Sequence, residues 1–578
     1  MNPRQLAEQV KAKFSAEELC EAVEIAGAGF LNFRLKKAAI ETALQSAARG
    51  EHLFFQKTET PRTIVVDFSS PNVAKPMHVG HIRSTILGDS LARIFRLLGH
   101  CVITDNHIGD WGTQFGMLLY GWKNDVDQDA LKVDAISELE RVYRKIQSEI
   151  KSQTQAALHK RFPQEIARLR ESGLTDEDKI CDKVIADLGP NRPLDLSPVD
   201  QASRAELVKL QGGDGENLSI WREMIALSEK QFRCVYQRLN IKFDYTYGES
   251  FYNPWLKEVV RELQAKNIAH DSGGAIAVFS DGSVPQKEDP FLIQRDGKWE
   301  DNPAMVQKTD GGFNYTTTDL ATLKYRLETW QPNEIVYVTD GRQQLHFNQI
   351  FATFRRWHPE AKMKLAHVWF GSILGEDGKP FKTRSGDTIK LEDLLDEAEE
   401  RAFKAVSEKN PALAESERKE IARVVGLGSI KYADLSQNRQ SDIVFNWDKM
   451  LSLQGNTAPY LQYAYTRVRS IFRKAEETSN IEHRTSNIEL NAPEEIALAK
   501  HLLNFGLVLE AAADDYRPNY LCSFLYELSG HFARFYENCP VLKAEGAQRG
   551  ARLALCDLTA RVLKQGLEVL GIETTEQM

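Results

Sequence analysis

The 578-residue chain has a net charge of −9, and 42% of its residues are apolar. That length exceeds one core, so three or more domains are expected, and the acidic balance excludes a generic nucleic-acid coat while allowing an RNA partner met by local basic surface. No apolar run approaches the ~20 residues of a membrane span, the first five residues lack a secretory layout, and seven scattered cysteines with no Cys-x-x-Cys pair point to reduced thiols in a cytoplasm.

Residues 1–60 open with helical spacing at Leu6, Val10, Phe14 and Leu19, then a β-like piece over 23–35 and a helix over about 37–48. Residues 61–118 read as strand, helix, strand and loop. The run over 63–68 is apolar and β-branched, Ser70, Pro71 and Asn72 mark a turn, and from Ile82 the apolar spacing becomes helical up to Gly99. A second strand follows at 101–105, so a βαβ unit and a parallel sheet are expected.

Residues 119–300 break that rhythm and read as a large insertion. Helical patterns run over 138–170 and 218–239 on either side of a Gly/Pro/Asp-rich section at 189–200, and a strand-and-turn section occupies 273–297. Residues 301–395 return to α/β, with a helix over 319–328, a buried strand over 334–339 and a polar turn over 375–387. Residues 396–578 are helical almost throughout, including one helix over 493–513, and need no strand, so a separate bundle is expected. The expected divisions are 1–60, 61–118, 119–300, 301–395, linking helices at 396–440 and a bundle at 441–578.

The change from strand to helical period falls on His78-Val79-Gly80-His81. Two imidazoles at a helix N-terminus, with a glycine that lets a ligand approach the backbone, make a phosphate site. Neutral or charged, those rings can bind oxygens whose charge grows in a transition state. Lys379, Lys382, Arg384 and Ser385 form a turn suited to clamping phosphates, and Lys75 adds a cation ahead of the helix. Tyr315 and Asp319 lie four apart at a helix start, hence on one face, where Asp319 can take a planar cation and Tyr315 can cover it. Asp67 ends the first strand and is a weaker candidate for the same pocket. Trp111, Gly112 and Gln114 suit either a pocket wall or a structural loop. Tyr460, Tyr463 and Arg467 share a helix face, Arg469, Arg473 and Lys474 add charge, and Tyr536 is a similar aromatic. Aromatics beside cations suit single-stranded RNA bases.

His78-Val79-Gly80-His81 resembles the HIGH motif of class I aminoacyl-tRNA synthetases, and Phe381-Lys382-Thr383-Arg384-Ser385 resembles their KMSKS motif. More narrowly, the stretch 69–81, with 109–116, 315–319, 432–436 and 454–460, is similar to the arginyl-tRNA synthetase family, in order, over nearly the whole chain. Arg384 stands where the consensus has its second lysine, and the resemblance implies that Lys75 supplies the missing charge. Arg holds phosphate as a fork and Lys as a point charge, so the division of labour among Lys75, Lys382 and Arg384 stays open.

The resemblance implies an α/β Rossmann-type parallel-sheet catalytic domain with a large insertion, an all-α anticodon-binding bundle at the C-terminus and a short α+β piece at the N-terminus. It implies ligation of L-arginine to its tRNA with ATP, through arginyl-adenylate. His78, His81, Lys75, Lys382 and Arg384 are the expected catalytic residues, with His78, Gly80, His81 and Lys382 around ATP. Ser70, Asn72, His81, Tyr315, Asp319 and Gln343 are expected around arginine. Tyr460, Tyr463, Arg467 and Tyr536 are expected at the anticodon, and Phe30 and Asn32 at the tRNA elbow, in a family domain that looks reduced here. Mg²⁺ is expected with ATP, no protein metal site is expected, and the protein is expected to be a cytoplasmic monomer. Two rival readings are an HxGH-type nucleotidyltransferase acting without RNA and a non-catalytic tRNA-binding paralogue.

Overall fold

The computed structural model describes residues 2–188, 196–379, 381, 389–476 and 488–578. Its centre is a four-stranded parallel sheet in the order Lys364–His367, Glu334–Tyr337, Thr63–Asp67, Cys101–Asp105. The alternation of the first strand explains how the sheet is covered. Ile64 and Val66 pack into the cluster that holds Ile82, Ile86 and Leu91 of the helix Val79–Leu97. Val65 points the other way, into the cluster with Leu320 and Leu323 of the helix Tyr315–Trp330 and with Phe351 and Phe354 of the helix Gln344–Trp357. A sheet buried on both faces calls for the near-continuous apolar runs seen in these strands.

A buried ion cluster crosses the sheet. Arg326 donates to Asp67 at 2.6 Å and to Asp105 at 2.8 Å, joining the ends of two neighbouring strands. Asp67 is therefore a structural acid beneath the loop that follows its strand, which corrects its reading as a pocket residue. Charges this deep are tolerable only when paired.

Between the halves of the sheet lie helices, among them Gln114–Asn124, Ala135–Arg161, Pro198–Gln211 and Gly215–Arg238, followed by a three-stranded antiparallel sheet and a hairpin, Leu292–Arg295 with Lys298–Asp301. The helix Pro198–Gln211 begins inside the section read as a separator, because Ser197 caps it by accepting from the Asp200 N–H.

The C-terminal part is a helical bundle with two departures from expectation. Ile443–Val444 forms a two-residue strand parallel to Ile373–Leu374, a backbone brace too short to show as a sequence period. The helix expected over 493–513 is two helices, Pro493–Leu502 and Phe505–Asp514. Between them Asn504 Nδ2 donates back to the Lys500 carbonyl, and just beyond it Gly506 meets the Phe54 carbonyl so closely that a Cβ would sit 2.4 Å from its oxygen. The stretch Pro493–Asp514 is, by length and composition, apolar enough to cross a membrane, with a mean hydropathy of 1.4 over 18 residues. Here Leu498, Leu502, Phe505 and Leu509 bury themselves in the bundle core.

Candidate active site

The loop between the first strand and the first long helix is bent. Ser69, Ser70 and Ala74 all adopt the left-handed region, at φ 76°, 49° and 60°. Non-glycine residues pay for that conformation only where the surroundings hold them. Here the Ser69 hydroxyl meets the hydroxyls of Thr85 and Tyr236, each at 2.8 Å, and the Ser70 N–H donates to Asn106 Oδ1 at 3.0 Å. Ser70 Oγ donates to Asp67 at 3.2 Å, which ties the loop to the Arg326 cluster. Asn72 is exposed beside Gly109, where a Cβ would come within 2.3 Å of its Oδ1. Only glycine allows that approach.

The helix Val79–Leu97 starts with a capping box made of the two histidines. Gly80 N–H donates to His78 Nδ1 at 3.0 Å, and His78 N–H donates to His81 Nδ1 at 3.1 Å. Their rings lie 3.9 Å apart. Each Nδ1 accepts, so each neutral ring carries its proton on Nε2, the tautomer these bonds assign. Burial, then the His78 ring, brings His81 down to about 3. Burial, then Lys75, lowers His78. Two neutral imidazoles can donate Nε2–H to phosphate oxygens.

The segment leaving the second motif is pinned to the same helix start. Val79 N–H donates to the Ile389 carbonyl at 3.0 Å, and Leu391 N–H to the Met77 carbonyl at 2.9 Å, with Lys390 paired opposite His78. On the entering side Phe381 stacks on Phe445 at 4.5 Å. Lys382, Arg384 and Ser385 lie outside the described residues.

Tyr315, 71% exposed, opens its helix, and Asp319 follows one turn later. Two partners of Asp319 escaped the sequence reading. His346 Nε2 lies 2.6 Å from Asp319 Oδ2, and that carboxylate raises the imidazole against the opposing effect of burial. Glu249 is pushed up to about 8 by burial, then by Asp319 and Asp110. It opens the short 3-10 helix Glu249–Trp255, whose start is fixed by Asp110, which accepts from the Ser250 N–H at 2.8 Å and its hydroxyl at 2.5 Å. A partly buried acid beside a second carboxylate and a phenol is a site waiting for a cation. Gln343 is exposed on the turn Gly341–Gln343, just before the His346 helix. Trp111 packs edge-on against Trp221 at 5.7 Å, and Trp221 donates to the Asp110 carbonyl at 2.9 Å, so this wall supports the Glu249 loop.

In the bundle, Tyr463 is 45% exposed and Arg467 lies over the Tyr536 ring at 4.9 Å. Tyr460, half-buried, packs against Tyr526 at 5.6 Å. Arg469 and Arg473 belong elsewhere: both reach Glu576, at 2.8 Å each, so they anchor the chain end and do not add to that face. Phe30 and Asn32 are exposed on the two-stranded sheet at the N-terminus. His159, Glu177 and Cys181 approach one another in the insertion, but Arg170 donates to Glu177 at 2.9 Å and already supplies the cation there.

Comparison with known proteins agrees along the chain. Residues 43–447 match the family model of the catalytic domain of class I (R) tRNA synthetases, residues 461–578 the DALR anticodon binding domain, and residues 1–35 the arginyl tRNA synthetase N terminal domain. An arginine–tRNA ligase of Fusobacterium nucleatum is 43% identical over 584 aligned positions, covering 100% of this chain and 90% of that protein. One from Proteus mirabilis is 43% identical, covering 100% and 91%. The crystal structure of the Plasmodium falciparum arginyl-tRNA synthetase superposes with a TM-score of 0.73 at 29% identity, covering 100% of this chain and 89% of that one. The Thermus thermophilus arginyl-tRNA synthetase, at 23% identity and a TM-score of 0.75, shares the fold, covering 100% and 92%.

Proposed function

The chain belongs to the arginyl-tRNA synthetases, and from that membership we propose which of its residues carry out each step. The protein ligates L-arginine to its cognate tRNA with ATP, through arginyl-adenylate, releasing AMP and pyrophosphate. The two rival readings, a nucleotidyltransferase without RNA and a non-catalytic paralogue, lose their footing with that membership.

In the first step the arginine carboxylate attacks the α-phosphorus of ATP and pyrophosphate leaves. No enzyme nucleophile is needed, so catalysis consists of positioning and electrostatics. His78 and His81 donate from Nε2 to phosphate oxygens, and Gly80 keeps the backbone open to the nucleotide. Lys75, Lys382 and Arg384 neutralise the departing pyrophosphate. Mg²⁺ comes with the phosphates: imidazole donors and lysines at the helix start suit an anion, whereas Mg²⁺ prefers oxygen ligands.

Asp319 and Glu249 take the guanidinium, Tyr315 covers it, and His346 fixes the Asp319 carboxylate. Ser70, Asn72, His81 and Gln343 surround the backbone end of the amino acid. Tyr460, Tyr463, Arg467 and Tyr536 receive anticodon bases, and Phe30 and Asn32 meet the tRNA elbow. The protein works as a cytoplasmic monomer, and its seven unpaired cysteines suit a reducing compartment.

The observation that carries the specificity reading is Glu249, an acid held near pH 8 by burial and a neighbouring carboxylate. Competition by citrulline tests it, since citrulline replaces the guanidinium with a neutral urea of nearly the same shape. Citrulline should fail to inhibit charging at a hundredfold excess over arginine. Inhibition at equimolar concentration would refute a pocket built on charge.

A further inference from the structure

We propose that one face of the insertion helix Ala135–Arg161 is a positioning element for adenylate formation, with Tyr143 holding Lys75 at the phosphate site and Ser137 holding Lys390. The proposal rests on the reading of Lys75 as a phosphate-facing cation.

Two contacts and one charge from the first three turns of this helix act on the phosphate site. Lys75 Nζ lies over the Tyr143 ring, 4.8 Å from its centre, within the range of a cation–π contact. Lys390 Nζ donates to Ser137 Oγ at 2.7 Å. Glu140, between them and paired with Arg144 at 2.6 Å, is close enough to act on the charge of His78. Positions 137, 140 and 143 fall on one side of a helix. The N-terminus of that helix is itself fixed, because Asp134 accepts from the Ser137 N–H at 3.0 Å and Asp127 N–H donates to Glu138 at 2.7 Å. Ile136 and Leu139 are buried and anchor the helix to the body of the catalytic domain.

The arrangement suits the two lysines. Lys75 sits on a loop whose neighbour Ala74 adopts a left-handed φ of 60°, and its long side chain would otherwise sample many rotamers. A ring face attracts the ammonium without neutralising it, as a carboxylate would, so the full charge remains for a phosphate. Lys390 stands opposite His78 in the backbone bridge, and the Ser137 hydroxyl that holds it also donates to the Asp134 carboxylate, which lies close enough to feel the Lys390 charge. The insertion thus supplies holders for two cations of a site that lies on the sheet, a ring face for Lys75 and a Ser137–Asp134 pair for Lys390.

The test is steady-state pyrophosphate exchange in the presence of tRNA, with full-length Lys75→Ala, Tyr143→Phe, Tyr143→Leu and the double variant Lys75→Ala/Tyr143→Leu. Tyr143→Phe keeps the ring face and should stay within twofold of the parent. Tyr143→Leu should lower kcat about tenfold and raise the KM for ATP, with the KM for arginine unmoved. In the Lys75→Ala background Tyr143→Leu should add no further loss. An equal loss in both backgrounds, or a matching rise in the KM for arginine, would make Tyr143 a general packing residue and overturn the inference. Full activity of Tyr143→Leu beside a crippled Lys75→Ala would overturn it too, while leaving the reading of Lys75 standing. Full activity of Lys75→Ala would overturn both.

Discussion

Asp319 Oδ2 and His346 Nε2 lie 2.6 Å apart, the carboxylate one turn into its helix and the imidazole at the start of the next. The bond fixes the direction of the carboxylate before arginine arrives. Asp319→Asn should therefore raise the KM for arginine on the order of a hundredfold, from loss of about 3 kcal/mol in a desolvated charge pair. The KM for ATP should change little. Equal increases in both constants would mean that Asp319 is structural.

Glu249 gives arginine binding a pH dependence. In the empty pocket its pKa stands near 8, so at neutral pH it is largely protonated. A guanidinium favours the carboxylate, and binding expels the proton. Affinity therefore rises with pH up to about 8, with a limiting slope of about tenfold per pH unit below the pKa. Glu249→Gln should flatten the profile. A KM for arginine that stays constant between pH 6 and 8 in the parent protein would contradict this role.

His81 caps a helix and is proposed to face the nucleotide as well, and substitution can separate the two tasks. Glutamine at the third helical position can accept the same backbone N–H. His81→Gln should then keep stability within about 1 kcal/mol but lower the rate of adenylate formation by about 10²- to 10³-fold. Urea unfolding and pyrophosphate exchange measure the two effects. Parental exchange activity in His81→Gln would leave the histidine with a structural task alone.

Arg467, stacked on Tyr536, is proposed to offer its guanidinium to the RNA backbone beside the bases. Arg467→Ala should raise the KM for tRNA and reduce the salt slope of tRNA binding by about one. The KM for arginine should hold. Arg469→Ala should behave differently, because Arg469 is engaged with Glu576, and its loss should lower stability more than tRNA binding. The reverse pattern would place the RNA face on the other side of the helix.

The catalytic core was legible because its signals are local. A β-branched run followed directly by His78-Val79-Gly80-His81 and a helical period marks a strand-to-helix junction in any context. The same holds for Tyr315 and Asp319, four residues apart at a helix start. Glu249 and His346 were not legible. Glu249 lies in a stretch without period or motif, and only the fold brings it to Asp319 and Asp110. His346 carries no signal beyond one imidazole in an amphipathic helix. Asp67 misled for the opposite reason: a strand-end acid looks available until Arg326, 259 positions away in sequence, is seen to close on it. Arg469 and Arg473 misled likewise, since their partner is the end of the chain. The split of the helix at Asn504 falls beside a close approach of Gly506 to the Phe54 carbonyl that no local pattern announces.

Selection of arginine by a pocket of two carboxylates and a phenol is the proposed basis of specificity in charging tRNA. Its most direct test is the charging of total tRNA by the purified protein with each of the twenty labelled amino acids in turn, with ATP present. Acid-precipitable label should appear with arginine and with no other amino acid, lysine included, because a compact ammonium on a shorter side chain lacks the planar fork that engages both Asp319 and Glu249. Charging by any other amino acid at a comparable rate, or none by arginine, would contradict the account.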